Sequence, residues 1–178
     1  GIRFKGPDVW GAKASGNIEA DFFGNTELNK SSAGSGSTGL MRLRNATATL
    51  AWPKTAVTFG QTWYPSVVPD VFPGVANFNS GIIFNPFGWA GQIKVAQKLT
   101  PELTLSLVAY KDREFQTANA TGASVNSATY NSSIPTFHGQ LQYKTKTVTT
   151  GLGAEYQSLK PVIESAGLVS NEKVNSEM

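Results

Sequence analysis

The chain has 178 residues, of which 15% are charged and 40% hydrophobic, a balance that excludes an intrinsically disordered protein. Its formal net charge is +3, and no stretch concentrates the positive charge into a nucleic-acid-binding arm. There is no cysteine and His138 is the only histidine, which excludes disulfides, thiolate catalysis and zinc sites built from several imidazoles.

β-Strands are predicted from the start of the chain, because polar and apolar residues alternate with period two and helical periodicity is nearly absent. A short strand at residues 2–5 comes first. Residues 13–23 follow as the clearest strand, with small and apolar residues on one face (Ala14, Gly16, Ile18, Ala20, Phe22) and polar residues on the other (Ser15, Asn17, Glu19, Asp21).

The next segment, residues 40–52, alternates in two halves that are out of phase. The polar parity changes between Arg44 and Asn45, which predicts a β-bulge at that point. Pro53 and Lys54 then form a tight turn into a strand at residues 55–61.

Four later segments alternate in the same way, at residues 91–99, 103–110, 136–144 and 147–157. The sequence therefore predicts an all-β protein, an antiparallel up-and-down meander of about eight strands. Connections after residues 52, 99 and 144 are short, whereas those after 23, 61, 111 and 157 are long. Since the two kinds alternate, the long loops lie at one end of the strands, as in outer-membrane β-barrels.

One long loop, residues 62–88, differs from the Ser- and Gly-rich ones because it is aromatic and contains four prolines. Such a loop is expected to pack, either as a constriction or plug in a lumen or as an external loop that covers its own apolar residues. Its constriction candidates are Trp63, Tyr64, Phe72, Phe78 and Phe84.

Alternation alone does not distinguish a membrane barrel from a water-soluble barrel or sandwich with an apolar interior. Three features favour the membrane. The apolar faces are rich in small residues, which would fill a core poorly, and many aromatic residues fall near strand ends, where a bilayer has its interfaces. The polar faces are also too charged for a dry core.

Several segments resemble porin-like outer-membrane proteins of the Bacteroidetes: Ile18-Glu19-Ala20-Asp21-Phe22-Phe23-Gly24, Met41-Arg42-Leu43-Arg44-Asn45-Ala46, Phe59-Gly60-Gln61-Thr62-Trp63-Tyr64-Pro65, Ile93-Lys94-Val95-Ala96-Gln97-Lys98-Leu99 and Glu155-Tyr156-Gln157-Ser158-Leu159-Lys160-Pro161. The resemblance implies a transmembrane β-barrel in the cell outer membrane. It also implies longer relatives with more strands, so residues 1–178 are expected to form one barrel domain or part of one. Residues 159–178 would begin a further extracellular loop and strand.

The function expected from pattern and resemblance is a channel for passive diffusion of small hydrophilic solutes, filtered by size and charge. Candidate pore-lining residues share the polar parity: Glu19, Asp21, Arg42, Arg44, Lys94, Lys98 and Glu155. The expected partners are the lipid bilayer and the solutes, without nucleic acid, and a homo-oligomer is compatible with the pattern. No cofactor, metal or enzymatic activity is expected, since no nucleophile motif accompanies His138.

Two other functions remain open at this stage. The first is a non-transport outer-membrane barrel, an anchor or surface-binding protein whose lumen is filled; eight strands alone would leave no aqueous channel. The second is a soluble ligand-binding β-barrel with an apolar pocket.

Overall fold

The computed structural model describes residues 1–24, 40–71, 88–111, 117–118, 125–126, 128–160, 163–165, 168–170 and 174–177. Strands dominate these residues, with a 3₁₀ turn at Pro69–Val71 and one helical turn, α1, at Ala128–Asn131. The strands are β1 (Ile2–Val9), β2 (Ala12–Gly24), β3 (Leu40–Ala51), β4 (Thr55–Trp63), β5 (Trp89–Lys98), β6 (Leu103–Lys111), β7 (Thr117–Ala118), β8 (Val125–Asn126), β9 (Thr136–Lys144), β10 (Thr149–Leu159), β11 (Ile163–Ser165), β12 (Leu168–Ser170) and β13 (Val174–Glu177).

Nine strands form one antiparallel sheet in the order β1-β2-β3-β4-β5-β6-β9-β10-β13. The first eight are the predicted strands, each beside its neighbour, so the predicted eight-strand meander is confirmed. The sheet is open. Across the described residues β1 and β13 are its two edges and do not pair with each other, so the predicted barrel is not closed here. The short pairs β7-β8 and β11-β12 are separate hairpins.

The short connections owe their shape to local hydrogen bonds. At the β5-β6 turn, the hydroxyl of Thr100 accepts hydrogen bonds from the backbone N–H groups of Glu102 and Leu103. At the β9-β10 turn, the hydroxyl of Thr145 accepts from Thr147 and Val148 in the same way. Serine and threonine favour turns through this type of bond, which competes with continued strand pairing.

The first hairpin is longer than the sequence predicted. The strand predicted at residues 2–5 continues to Val9, past an irregularity between Lys5 and Asp8 that contains Gly6 and Pro7. Proline is tolerated there because β1 is an edge strand, where a missing N–H breaks no ladder bond. Trp10 and Gly11 then turn the chain with φ angles of 50° and 75°, the positive values of a type I′ hairpin turn.

The predicted bulge is present between β2 and β3. The pairing moves from Glu19 opposite Asn45 to Ala20 opposite Leu43, which leaves Arg44 as the extra residue. On the other side of β3, the side-chain amide of Gln61 donates to the carbonyl oxygens of Leu43 (2.7 Å) and Arg44 (3.4 Å). The carbonyl groups at the bulge therefore accept hydrogen bonds from a side chain, at the point where β4 no longer pairs with β3.

The register divides the sheet into two faces. The apolar face carries Ile18, Phe59, Ile93, Leu107 and Leu152, and it is open: Ile18 is 47% exposed, Ile93 58% and Leu152 80%. The polar face carries the intervening residues, and more than half of the buried residues of the described chain lie on it. They include polar ones, namely Asn45, Gln92, Ser106, Thr136 and His138. Among the described residues, no helix is long and apolar enough to cross a membrane.

Candidate functional site

All seven predicted pore-lining residues belong to one side of the sheet, the polar face. The cross-strand register aligns Lys94 with Val108, Val108 with His138, and His138 with Glu155, in one row across four strands. In the same way it aligns Asp21 with Arg42 and Glu19 with Asn45. Alternation along each strand thus gathers residues that are distant in the sequence onto a common surface.

Two carboxylates and two guanidinium groups form a charged cluster across β2 and β3. Arg42 donates two hydrogen bonds to Asp21, from Nε to Oδ1 at 3.1 Å and from Nη2 to Oδ2 at 2.8 Å. Arg44 lies 3.0 Å from Glu19 through Nη1 and 3.6 Å from Asp21 Oδ2 through Nε. The bulge allows both arginines to reach the same pair of acids, because it turns Arg44 toward the face that Arg42 occupies.

Two tryptophans cover these guanidinium groups. Trp63 and Trp89 are paired across β4 and β5, with ring centroids 4.6 Å apart. Arg42 lies 4.7 Å from the Trp89 centroid, and Arg44 lies 5.3 Å from Trp63 and 5.2 Å from Trp89. These are cation–π distances. Trp63, which was predicted to belong to the long loop, is instead the last residue of β4.

Amide groups extend the cluster. Asn45 is buried; its Nδ2 donates to Glu19 Oε2 at 3.0 Å, and its Oδ1 accepts from the hydroxyl of Thr62 at 2.9 Å. Gln92 donates to the backbone carbonyl of Trp63 at 2.7 Å. Each of these two buried side-chain amides therefore has a hydrogen-bond partner, as polar groups that are removed from water require.

The described start of the long loop folds onto the polar face. We call residues 64–71 the docked segment. Tyr64 and Val67 pack with three polar-face residues (Ala90, Val108 and Tyr110) in the main buried apolar cluster. The backbone N–H of Tyr64 donates to the carbonyl of Gly88 at 2.9 Å, which ties the segment to the start of β5.

The docked segment runs along the strands and not away from them. It leaves β4 at the long-loop end, yet Asp70 forms a 2.7 Å ion pair with Lys144, the last residue of β9, at the short-turn end. The segment therefore crosses the polar face toward the short-turn end of the strands.

A cavity of about 280 Å³ lies between the docked segment and the sheet. The sheet provides Thr62 and Trp63 of β4, Gln92 and Lys94 of β5, and Gln140 and Gln142 of β9, and the docked segment provides Tyr64, Pro65, Val67, Val68 and Asp70. The sheet therefore contributes three amide side chains, one ammonium group, one hydroxyl group and one indole ring to the cavity wall.

The remaining predicted residues have distinct surroundings. Glu155 lies 3.2 Å from Nδ1 of His138, whose ring is buried, and the other ring nitrogen has no hydrogen-bond partner among the described residues. Lys98 is exposed at the end of β5. The predicted constriction residues Phe72, Phe78 and Phe84 lie outside the residues that the structure describes.

Sequence reasoning did not select Asn45, Trp89, Gln92, Gln140 or Gln142 for the site. The four amides were detectable in principle, because each has polar parity within a predicted strand. Trp89 carried no such signal. It is buried against the two arginines, and Tyr110 is buried against Tyr64 of the docked segment.

The sequence matches no protein-family model, and neither the curated proteins nor the solved structures contain a match. The features that bear on function are therefore the two faces of the sheet and the segment docked on one of them.

Proposed function

We propose that this chain forms part of the wall of an outer-membrane, porin-like channel through which small hydrophilic solutes diffuse. The resemblance to Bacteroidetes porin-like proteins points in the same direction. The channel would use no cofactor, and its selectivity would come from the width and charge of its lumen.

One observation carries the proposal: the large apolar side chains lie on the open face, and the charged and amide side chains lie on the face that is partly covered. A water-soluble sheet protein has the opposite arrangement, with apolar residues covered and charges in solvent. Phe59, Ile93, Leu107, Leu141 and Leu152 are adjacent across five strands and all are open to solvent. Lipid is the environment that suits such a surface.

The polar face suits a water-filled lumen. Its acids and arginines are only partly buried, and their side chains retain 19–35% exposure. Ion pairs of this kind are stable beside water, where desolvation is incomplete. The docked segment lies on this face and narrows the space above it, as a constriction does, and this favours transport through a restricted lumen.

Closure of the wall is a requirement of the proposal. Backbone groups at a sheet edge cannot remain unpaired in hydrocarbon, where each costs several kcal/mol. The edges at β1 and β13 must therefore pair with further strands, either of the same polypeptide or of a second copy. A barrel of more than nine strands would also have a lumen wide enough for water and solutes, which a barrel of eight strands lacks.

The membrane assignment can be tested with neighbouring residues that lie on opposite faces of the sheet. The chain has no cysteine, so single-cysteine variants carry one label each. We would label Leu141→Cys and Gln142→Cys in β9, and Phe59→Cys and Thr58→Cys in β4, with an environment-sensitive fluorophore in liposomes. The labels at 59 and 141 should emit as in lipid and be quenched by lipid-borne quenchers, whereas those at 58 and 142 should respond to aqueous quenchers.

Water-like emission from all four labels would reject the membrane assignment. Planar-bilayer recording from the membrane-inserted protein then tests transport itself. Discrete conductance steps would support the channel. Lipid-facing labels without any conductance would reject it in favour of a barrel that anchors or binds at the surface.

A further inference from the structure

We infer that the cavity beneath the docked segment is a binding site for small carboxylate anions. This inference takes its biological meaning from the proposed channel, in which such a site would make the constriction prefer organic acids over cations and neutral solutes. The site itself rests on the residues that line the cavity.

Charge balance is the first argument. Lys94 is the one cation among the residues that line the cavity, and Asp70 is the one carboxylate. Asp70 is already paired with Lys144 at 2.7 Å. Within the described part of the chain, Lys94 has no ion-pair partner of its own, whereas the polar-face acids Glu19, Asp21 and Glu155 each have a cationic or imidazole partner. The ammonium group of Lys94 thus leaves a positive charge at the cavity wall.

Hydrogen-bonding capacity is the second argument. Gln140 and Gln142 of β9 line the same cavity as Lys94 of β5, with β6 between the two strands. Primary amides donate two hydrogens each, and a lysine ammonium donates three. A carboxylate accepts several bonds at two oxygens, so it can use an ammonium and neighbouring amides together.

Size and charge restrict the ligand further. The cavity of about 280 Å³ is the volume of roughly nine water molecules, enough for a small organic acid and too small for a drug-sized ligand. One ammonium neutralises one carboxylate. A phosphate dianion would keep a second charge in a half-enclosed space, which costs free energy unless another cation is present.

The test compares acetate with acetamide, its neutral analogue of the same shape. Trp63 lines the cavity, so in a Trp10→Phe/Trp52→Phe background the fluorescence of Trp63 and its neighbour Trp89 reports on occupancy. We expect saturable spectral changes with sodium acetate, and none with acetamide, for the protein in detergent micelles at constant ionic strength.

Variants of β5 provide the control. Lys94→Gln should weaken acetate binding about tenfold, the factor expected for loss of one charge-assisted hydrogen bond. Lys98→Gln removes the same charge from the same face of the same strand, but outside the cavity, and should change affinity less than about twofold. Lys94→Arg keeps the charge and should retain binding if the fold is intact. Equal responses to acetate and acetamide, or equal losses in the two glutamine variants, would overturn the inference.

Binding and transport are read out separately. In planar bilayers with a potassium chloride gradient, Lys94→Gln should lower the anion-to-cation permeability ratio more than Lys98→Gln does. Acetate binding in a protein that does not conduct would reject the channel and retain the site. Conductance with no acetate response would reject the site and retain the channel.

Discussion

Asp21 and Arg42 face each other directly across β2 and β3, and the carboxylate accepts both hydrogen bonds that the edge of the guanidinium group offers, at 2.8 and 3.1 Å. Two-point pairing of this kind fixes orientation as well as distance. It holds Arg42 with its charge 4.7 Å from the ring of Trp89, so the acid positions the cation that the aromatic ring covers.

This pair should contribute measurably to stability. We predict that Asp21→Asn and Arg42→Gln each lower the free energy of unfolding. A double-mutant cycle should give a coupling of about 1–2 kcal/mol, the range for hydrogen bonds between partly buried charged groups. Urea unfolding in detergent micelles, followed by tryptophan fluorescence, measures the free energies of unfolding from which the coupling is calculated. Lys98→Gln, which removes an exposed cation, should stay within about 0.5 kcal/mol of the parent protein. A coupling energy near zero would show that the pairing of Asp21 with Arg42 does not contribute to stability.

Gly60 should tolerate no side chain. Its φ of 123° lies in a region that L-residues rarely adopt, and a Cβ built on it would lie 2.1 Å from the carbonyl oxygen of Ala46. We predict that Gly60→Ala lowers the free energy of unfolding by about 3 kcal/mol or more, through backbone strain and displacement of β3.

The neighbouring strand provides a matched control for this substitution. Gly91 is opposite Gln61, the residue after Gly60, and a Cβ at Gly91 meets nothing within 4 Å. Gly91→Ala should therefore change stability by less than about 1 kcal/mol. Similar urea midpoints for the two variants would contradict the steric explanation.

Release of the docked segment should widen the lumen. Val67 is 6% exposed within the apolar cluster, whereas Val71, in the same segment, is 52% exposed. Val67→Asp would bury an unpaired carboxylate, which costs about 2 kcal/mol or more and favours departure of the segment from the polar face. We predict larger single-channel conductance for Val67→Asp, and conductance like that of the parent protein for Val71→Asp. A larger conductance in the Val71 variant alone would contradict the role assigned to the docked segment.

Predictions from local pattern succeeded where the cause is local. The change of parity between Arg44 and Asn45 predicted the bulge, because a bulge is by definition a break in alternation. The opening strand was predicted too short, since Gly6 and Pro7 interrupt the pattern by which a strand is recognised. Its continuation depends on pairing with β2, which lies beyond the turn at Trp10 and Gly11.

The sequence identified the charged residues of the candidate site but not their contacts. Shared parity identified Glu19, Asp21, Arg42 and Arg44, yet it did not say which acid pairs with which arginine. The covering tryptophan, Trp89, approaches from a strand about 45 residues away in the chain. Side-chain partners at such separations depend on the register between strands that are far apart in the sequence, which the alternation within one strand does not encode.

By itself, then, the sequence determined the strands, their meander order, their two faces and the tight turns, because alternation and turn chemistry act over a few residues. Only the tertiary structure decided that Tyr64 and Val67 lie on the polar face, that Asp70 reaches Lys144, and that a cavity with Lys94 in its wall lies beneath. Those contacts join distant parts of the chain, and their free energy comes from burial that exists only once the sheet has formed.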